Sequence, residues 1–207
     1  MLPGTNEKEG MAMSITVTSL AGADAAAALP ALAALRMTVF AEWPYLYSGE
    51  MAYEETYLRE FMAEPDSVLV VARDGTRIVG AATASPMAAQ KSEFRSPFEA
   101  RGLDTAKLFY FGESVLLPEY RGQGIGHAFF DHREEQARAR GARAATFAAV
   151  IRPSDHPDRP TGYVPLDRFW HKRGYAPVKG LVTKFEWKDH CDSQATAKAM
   201  QYWMRQL

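Results

Sequence analysis

Apolar and polar positions alternate along residues 14–20, SITVTSL, with the two-residue period of a strand. From 22 to 40 the chain turns to alanine and leucine. That predicts a helix with Asp24 near its start and Pro30 as an early-turn or kink residue. An aromatic loop follows at 42–50, EWPYLYSGE, and residues 51–63 predict a second helix that Pro65 ends. Residues 67–73, Asp74-Gly75 and 76–85 read as a strand, a tight turn and a returning strand. Residues 86–106 show no clear period beyond a short helix around 97–101, and 107–117, KLFYFGESVLL, form a strongly apolar strand. Residues 125–141 predict a helix whose inner face holds Ile125, Ala128, Phe129, His132, Gln136 and Ala139, which places His132 in the core. A buried strand at 142–151 leads into a loop rich in proline and charge at 152–165, then a short helix at 165–173 stopped by Gly174. A last strand is predicted at 181–187 and a C-terminal helix at 193–207. This order describes a single mixed α/β domain over residues 14–188, with a polar leader at 1–13 and a helical extension at 189–207.

Composition narrows the function classes. The net charge of −1 over 207 residues provides no overall basic field for nucleic acid or an anionic membrane, so neither is an expected partner. No apolar run is read as reaching the ~18 residues of a membrane span. The leader lacks the basic start and apolar core of a signal peptide. The lone Cys191 permits no intrachain disulfide and no cysteine-based zinc site is expected from it. A cytoplasmic setting is the resulting expectation.

The candidate chemistry begins at PEYRGQGIGH, residues 118–127, between the apolar strand and a helix. The first amides of a helix lack intrahelical acceptors and the macrodipole makes that end positive, so glycines there allow an anion to approach the backbone. Arg121 adds a full charge at the mouth. A nucleotide P-loop would need Lys followed by Ser or Thr after its last glycine, where His127-Ala128 stand. A dinucleotide fingerprint starting at Gly122 would need Gly or Ala at position 127 and an earlier place in the chain.

The spacing Arg121-Gly122-Gln123-Gly124-Ile125-Gly126 is similar to the acyl-CoA motif of the GNAT superfamily of N-acyltransferases. The preceding Leu116-Leu117-Pro118 and Tyr120, and the later Phe169-Trp170-His171-Lys172-Arg173-Gly174-Tyr175, extend the resemblance over most of residues 14–188. It implies a mixed, mostly antiparallel sheet with a splayed central strand pair and helices on both faces. It implies acetyl-CoA as cosubstrate, with Gly124 and Gly126 at its pyrophosphate, the amides of Gln123, Ile125 and His127 as further donors, and Arg121 and Gly122 also in the cofactor site. Ser114, Val115, Leu116 and Leu117 would run beside the pantetheine arm, and the Leu116 amide would polarise the thioester carbonyl. No metal is implied.

Direct transfer to an amine needs a base and an acid. Glu113 is the carboxylate nearest the thioester region, and apolar surroundings would raise its pKa. Strand alternation sets it on the face opposite Ser114 and Leu116 unless a bulge at Gly112 intervenes, and a purely structural carboxylate is the equal alternative. The family's usual tyrosine acid falls at Trp170, so Tyr163 or solvent takes that role. Trp43, Tyr45 and Tyr47 stand where the resemblance puts part of the amine pocket, with Glu50 or Glu54 to answer the amine's charge, or they simply cover the sheet edge. Asp155-His156-Pro157-Asp158 looks metal-like on paper but has no partner histidine in sequence reach. The resulting expectation is an N-acetyltransferase acting on a small-molecule primary amine, with homodimerisation left open. The alternatives are a protein or peptide N-terminal acetyltransferase, which needs an open groove, and a non-catalytic acyl-CoA-binding module.

Overall fold

The computed structural model describes residues 15–207; the leader expected at 1–13 lies outside them. In chain order the elements are β1 (Thr16–Leu20), α1 (Gly22–Phe40), α2 (Met51–Ala63), β2 (Val68–Asp74), β3 (Arg77–Pro86), α3 (Ser92–Glu99) and β4 (Leu108–Leu116). Then come α4 (Ile125–Ala139), β5 (Ala144–Val150), α5 (Asp167–Lys172), β6 (Ala176–Trp187) and β7 (Thr196–Gln206). The strands form one seven-stranded sheet in the order β1-β2-β3-β4-β5-β7-β6. Among the described residues, β4 and β5 are the only neighbouring strands that run parallel, and they pair over three residues, Leu108–Tyr110 against Ala144–Thr146, before diverging. The mixed, mostly antiparallel sheet with a splayed central pair is therefore present.

Helices cover both faces. On one, the small residues Ala25, Ala28 and Ala33 let α1 lie close to Leu69, Val71, Ala81 and Val115, with Leu32 and Leu58 filling between. On the other, Ile125, Phe129, Phe130 and Ala137 of α4 meet Val70, Ala72, Ala82, Phe109 and Phe111. By length and composition α1 is apolar enough to cross a membrane, contrary to the reading of the sequence. Its buried residues Ala25, Ala28, Leu32, Ala33 and Leu35 pack against the sheet.

β4 changes face part-way along. Phe109 and Phe111 join the α4 side, whereas Val115 joins the α1 side. The switch is a bulge: Ala82 pairs with Ser114 and Ala84 with Phe111, so Thr83 alone opposes Gly112 and Glu113. Gly112 is required there, because a Cβ would stand 2.5 Å from Thr83 Oγ1.

Two expectations need correction. Residues 193–207 do not form a helical extension: Thr196–Gln206 are β7, inserted between β5 and β6 with buried Met200, Tyr202 and Trp203. Alanine, methionine, glutamine and arginine favour helix locally, but a strand with partners on both edges overrides that preference. The inner face of α4 keeps the predicted Ile125 and Phe129 but is otherwise rotated toward Phe130, Arg133, Glu134 and Ala137. Arg133 and Glu134 are buried, whereas His132 sits half-buried at the edge with Nδ1 3.1 Å from Ser19 Oγ. Glu134 accepts from Tyr175 (3.1 Å) and Arg205 (2.9 Å), tying α4 to β7.

A chain stopped after Asp192 should lose cooperative thermal unfolding by circular dichroism, since β5 and β6 would each lose their common neighbour. An unchanged melting temperature would instead suit a dispensable extension.

Candidate active site

Past Tyr110 the gap between β4 and β5 opens into a cavity of about 1610 Å³. It runs from the glycine turn, past Glu113, Ser114 and Leu116, to Trp43, Tyr45, Tyr47 and Tyr163. The fold thus brings most sequence-predicted residues to one place.

At the glycine turn Gly122 and Gly124 adopt φ of 78° and 84°, the left-handed region that side-chain-bearing residues avoid, and no atom lies within 4 Å of either added Cβ. Among the described residues, no protein acceptor pairs with the amides of Gly122, Gln123, Gly124, Ile125 or Gly126. Five successive unpaired donors at a helix start, over open space, fit the pyrophosphate of an acyl-CoA. The His127 amide is not among them, because it bonds Gly124 O at 2.9 Å. Its ring packs edge-on against Phe169 at 4.9 Å. Arg121 is also less free than expected: Nη2 pairs with Glu42 at 2.9 Å and Nε bonds Leu116 O at 3.2 Å.

Leu117 N donates to Val79 O at 3.0 Å, so Leu117 and, by strand alternation, Val115 turn their backbone amides to β3. The Val115 side chain is fully buried under α1. Neither faces the gap, which corrects their assignment to the cofactor. Ser114 and Leu116 have the opposite parity, and their amides face the space that β5 has left.

Glu113 is not an isolated carboxylate in apolar surroundings. Its Oε2 pairs with Arg36 Nη1 at 2.8 Å, while its buried Oε1 has no partner. The bulge does not bring it to the Ser114 face; it points with Val115 toward α1. Arg36 also binds Glu54 through Nε, and Glu54 accepts from the Tyr47 hydroxyl at 2.6 Å. Burial opposes the Arg36 charge, but Glu113, Tyr57 and Glu54 outweigh it and hold the guanidinium above its ordinary pKa. Glu54 is fully buried and fully engaged, so it is not available to answer an incoming amine. Tyr47 is committed to it in the same way.

Beneath the bulge on the α4 side, Arg133 is 1% exposed and donates to Phe129 O (3.1 Å), Thr83 O (3.3 Å) and Glu113 O (3.4 Å). Phe111 and Phe130 lie against its cation at 4.4 and 4.8 Å. Burial lowers its pKa to about 10, which leaves it charged at neutral pH.

The aromatic wall is larger than the sequence showed. Tyr45 packs on Phe40 at 4.6 Å and Trp187 at 5.9 Å, and burial pushes its hydroxyl up to about 12. Trp43 meets His156 at 5.0 Å and Tyr163 edge-on at 6.0 Å. Burial, then Asp167, raises the Tyr163 pKa. Trp170, at the position of the family's usual acid, packs on Phe147 and Trp203, each at 5.0 Å. Arg36 and Arg133 were missed, although a lone arginine in the alanine–leucine face of α1 was a usable signal.

The model of the Acetyltransferase (GNAT) family matches residues 34–175, well over half the chain and all of the gap, bulge and glycine turn. The chain belongs to the GNAT acetyltransferase family. By that membership it is an acetyl-CoA-dependent N-acetyltransferase. No curated protein matches the sequence. Among solved structures it is similar to a ribosomal-protein-alanine N-acetyltransferase from Brucella melitensis (15% identity, 93% of this chain and 99% of that one, TM-score 0.61). It is also similar to yncA from Salmonella typhimurium, solved with its cofactor acetyl-CoA (12%, 94% of each chain, 0.57). A third is the paia N-acetyltransferase from Thermoplasma acidophilum with coenzyme A (14%, 94% and 100%, 0.52). These likenesses carry the GNAT fold.

Gly124→Val should weaken acetyl-CoA binding at least about tenfold by calorimetry, because valine is strained at φ 84° and crowds the anion. Arg36→Met should destabilise the fold by about 3–5 kcal/mol in denaturant titration, leaving two buried carboxylates without their cation. Adding Glu54→Gln and Glu113→Gln should recover much of that loss.

Proposed function

We propose that this GNAT enzyme moves the acetyl group of acetyl-CoA onto the primary amine of a small organic molecule bound against Trp43 and Tyr45. The observation that carries this reading is Glu113, with one carboxylate oxygen fixed by Arg36 and the other buried at the cavity without a partner. An unpaired buried acceptor is costly unless something donates to it, and an ammonium or its bridging water would.

The cosubstrate supplies an activated thioester carbonyl. The amides of Gly122 to Gly126 hold its pyrophosphate, and Ser114 and Leu116 present backbone along its arm. The Leu116 N–H faces the gap and donates to the oxygen where negative charge develops. Glu113 takes the proton from the ammonium, directly or through water, leaving a neutral nucleophile. Tyr163, whose raised pKa keeps its proton in place, returns a proton to the departing thiolate. Trp43 and Tyr45 offer π faces that hold the amine while it is still cationic.

Glu113→Gln should lower kcat by about 10²–10⁴ with unaltered acetyl-CoA affinity, and a wild-type rate would remove Glu113 as base. Tyr163→Phe should lower kcat about tenfold or more and abolish an alkaline limb lying above the ordinary tyrosine value of about 10. Coenzyme A release over a panel of small amines and of peptides with free amino termini tests the acceptor class. Turnover confined to the peptides would overturn the small-molecule reading.

A further inference from the structure

Residues 153–163 join β5 to the short α5 without helix or strand. Their polar contacts stay local: Asp158 N to His156 Nδ1 (3.2 Å), Arg159 N to His156 O (3.0 Å), Arg159 Nη1 to Ser154 O (3.3 Å) and Tyr163 N to Pro160 O (3.1 Å). Among the described residues a single polar contact leaves the segment, from Cys191 Sγ to Asp158 Oδ2 at 3.8 Å. Beside that pair stands His190, and the ligand atoms of Asp158, His190 and Cys191 lie within 4.8 Å of one another.

We propose that Asp158, His190 and Cys191 form a binding site for a zinc-class divalent cation that fastens this loop to the turn between β6 and β7. A thiolate, an imidazole and a carboxylate are the donor types zinc prefers, with water as a fourth ligand. Zn–S bonds of about 2.3 Å and Zn–N or Zn–O bonds of about 2.0 Å set tetrahedral edges near 3.3–3.6 Å. The Cys191–Asp158 separation is already close to that, and all three side chains are exposed, so rotation can bring in the third.

Two of the ligands stand on a firm base. His190 N bonds Leu46 O at 2.8 Å and Asp192 N bonds Asp189 O at 2.9 Å. The neighbouring Asp189 is buried, held by both Arg152 Nη1 (2.7 Å) and Nη2 (3.0 Å), and Arg152 also binds Pro44 O and Tyr45 O. Lys198, the nearby cation, is occupied by Asp189 (3.4 Å) and Asp192 (3.0 Å). Asp158 is the ligand that comes from the loosely held side. Sequence separation hid the site, since the DHPD segment shows no second histidine until the fold brings up β6.

The consequence for the enzyme rests on the proposed amine pocket; cation binding itself does not. His156 and Tyr163 flank Asp158 and both pack on Trp43. Fastening Asp158 therefore holds that wall in place.

The test is equilibrium dialysis with Co²⁺ on the metal-stripped full chain, read by its thiolate-to-cobalt absorption, with Zn²⁺ as competitor. The expected result is one Co²⁺ per chain, displaced by Zn²⁺. Cys191→Ser and His190→Ala, each with a wild-type circular dichroism spectrum, should weaken binding at least about tenfold. Zn²⁺ should also slow proteinase K cleavage within 153–163 about threefold or more, a readout independent of activity. No stoichiometric binding, or binding unchanged in Cys191→Ser and Asp158→Asn, would overturn the site. Stoichiometric binding with unprotected cleavage would overturn the fastening. If amine turnover is found, stripping the metal should raise KM for the amine and leave acetyl-CoA affinity as it was.

Discussion

A strand in the middle of a sheet must have its backbone groups answered on both edges, and β4 loses one edge after Tyr110. The rest of the site follows from that loss. Ser114 and Leu116 are left with peptide groups facing a gap rather than β5, and the chain leaves β4 directly into a turn whose amides are likewise unpaired. Unpaired main-chain donors thus line one continuous path from the splayed strand to the helix start. In such a path the backbone spacing, rather than side-chain identity, sets where the donors stand.

The bulge at Gly112–Glu113 is held from both faces by arginines with different tasks. Arg133 enters from α4 and answers the carbonyls of Thr83 and Glu113 that the irregular pairing leaves over. Arg36 enters from α1 and balances two carboxylates, Glu113 and Glu54. Burying either charge is costly, and each is sustained by aromatic faces and by partners that would otherwise be orphaned. One oxygen of Glu113 is fixed by this arrangement and the other stays without a partner, so the buried ion pair leaves one acceptor free.

The parts legible in the sequence were those governed by local rules. The glycine turn announced itself because positive φ and an uncapped helix start demand particular residues at fixed spacing. β1 followed from its two-residue period, β4 from its apolar run, and β2 and β3 from the tight turn at Asp74-Gly75 between them. Glu113 was identified as an acidic residue in an apolar strand, but its partner lay on α1, and no local rule connects Arg36 to it. The face of α4 was misplaced because buried Arg133 and Glu134 look like solvent-facing residues until their partners are known. β7 was read as a helix because its composition favours one in isolation. The aromatic residues at 43–47 were visible, yet Tyr47 turned out to serve Glu54 while Trp187 and Tyr163 complete the wall from distant segments.

The sheet order has a consequence for how the chain acquires its shape. β6 precedes β7 in sequence, yet β7 stands between β5 and β6. β5 and β6 each pair antiparallel with β7 and therefore run parallel to each other, with β7 the strand that joins them. On a growing polypeptide β6 emerges before the strand that seats it in the sheet, and its pairing waits for β7. Synthesis from the amino end thus leaves the β5-β7-β6 half of the sheet incomplete until the last strand has been made.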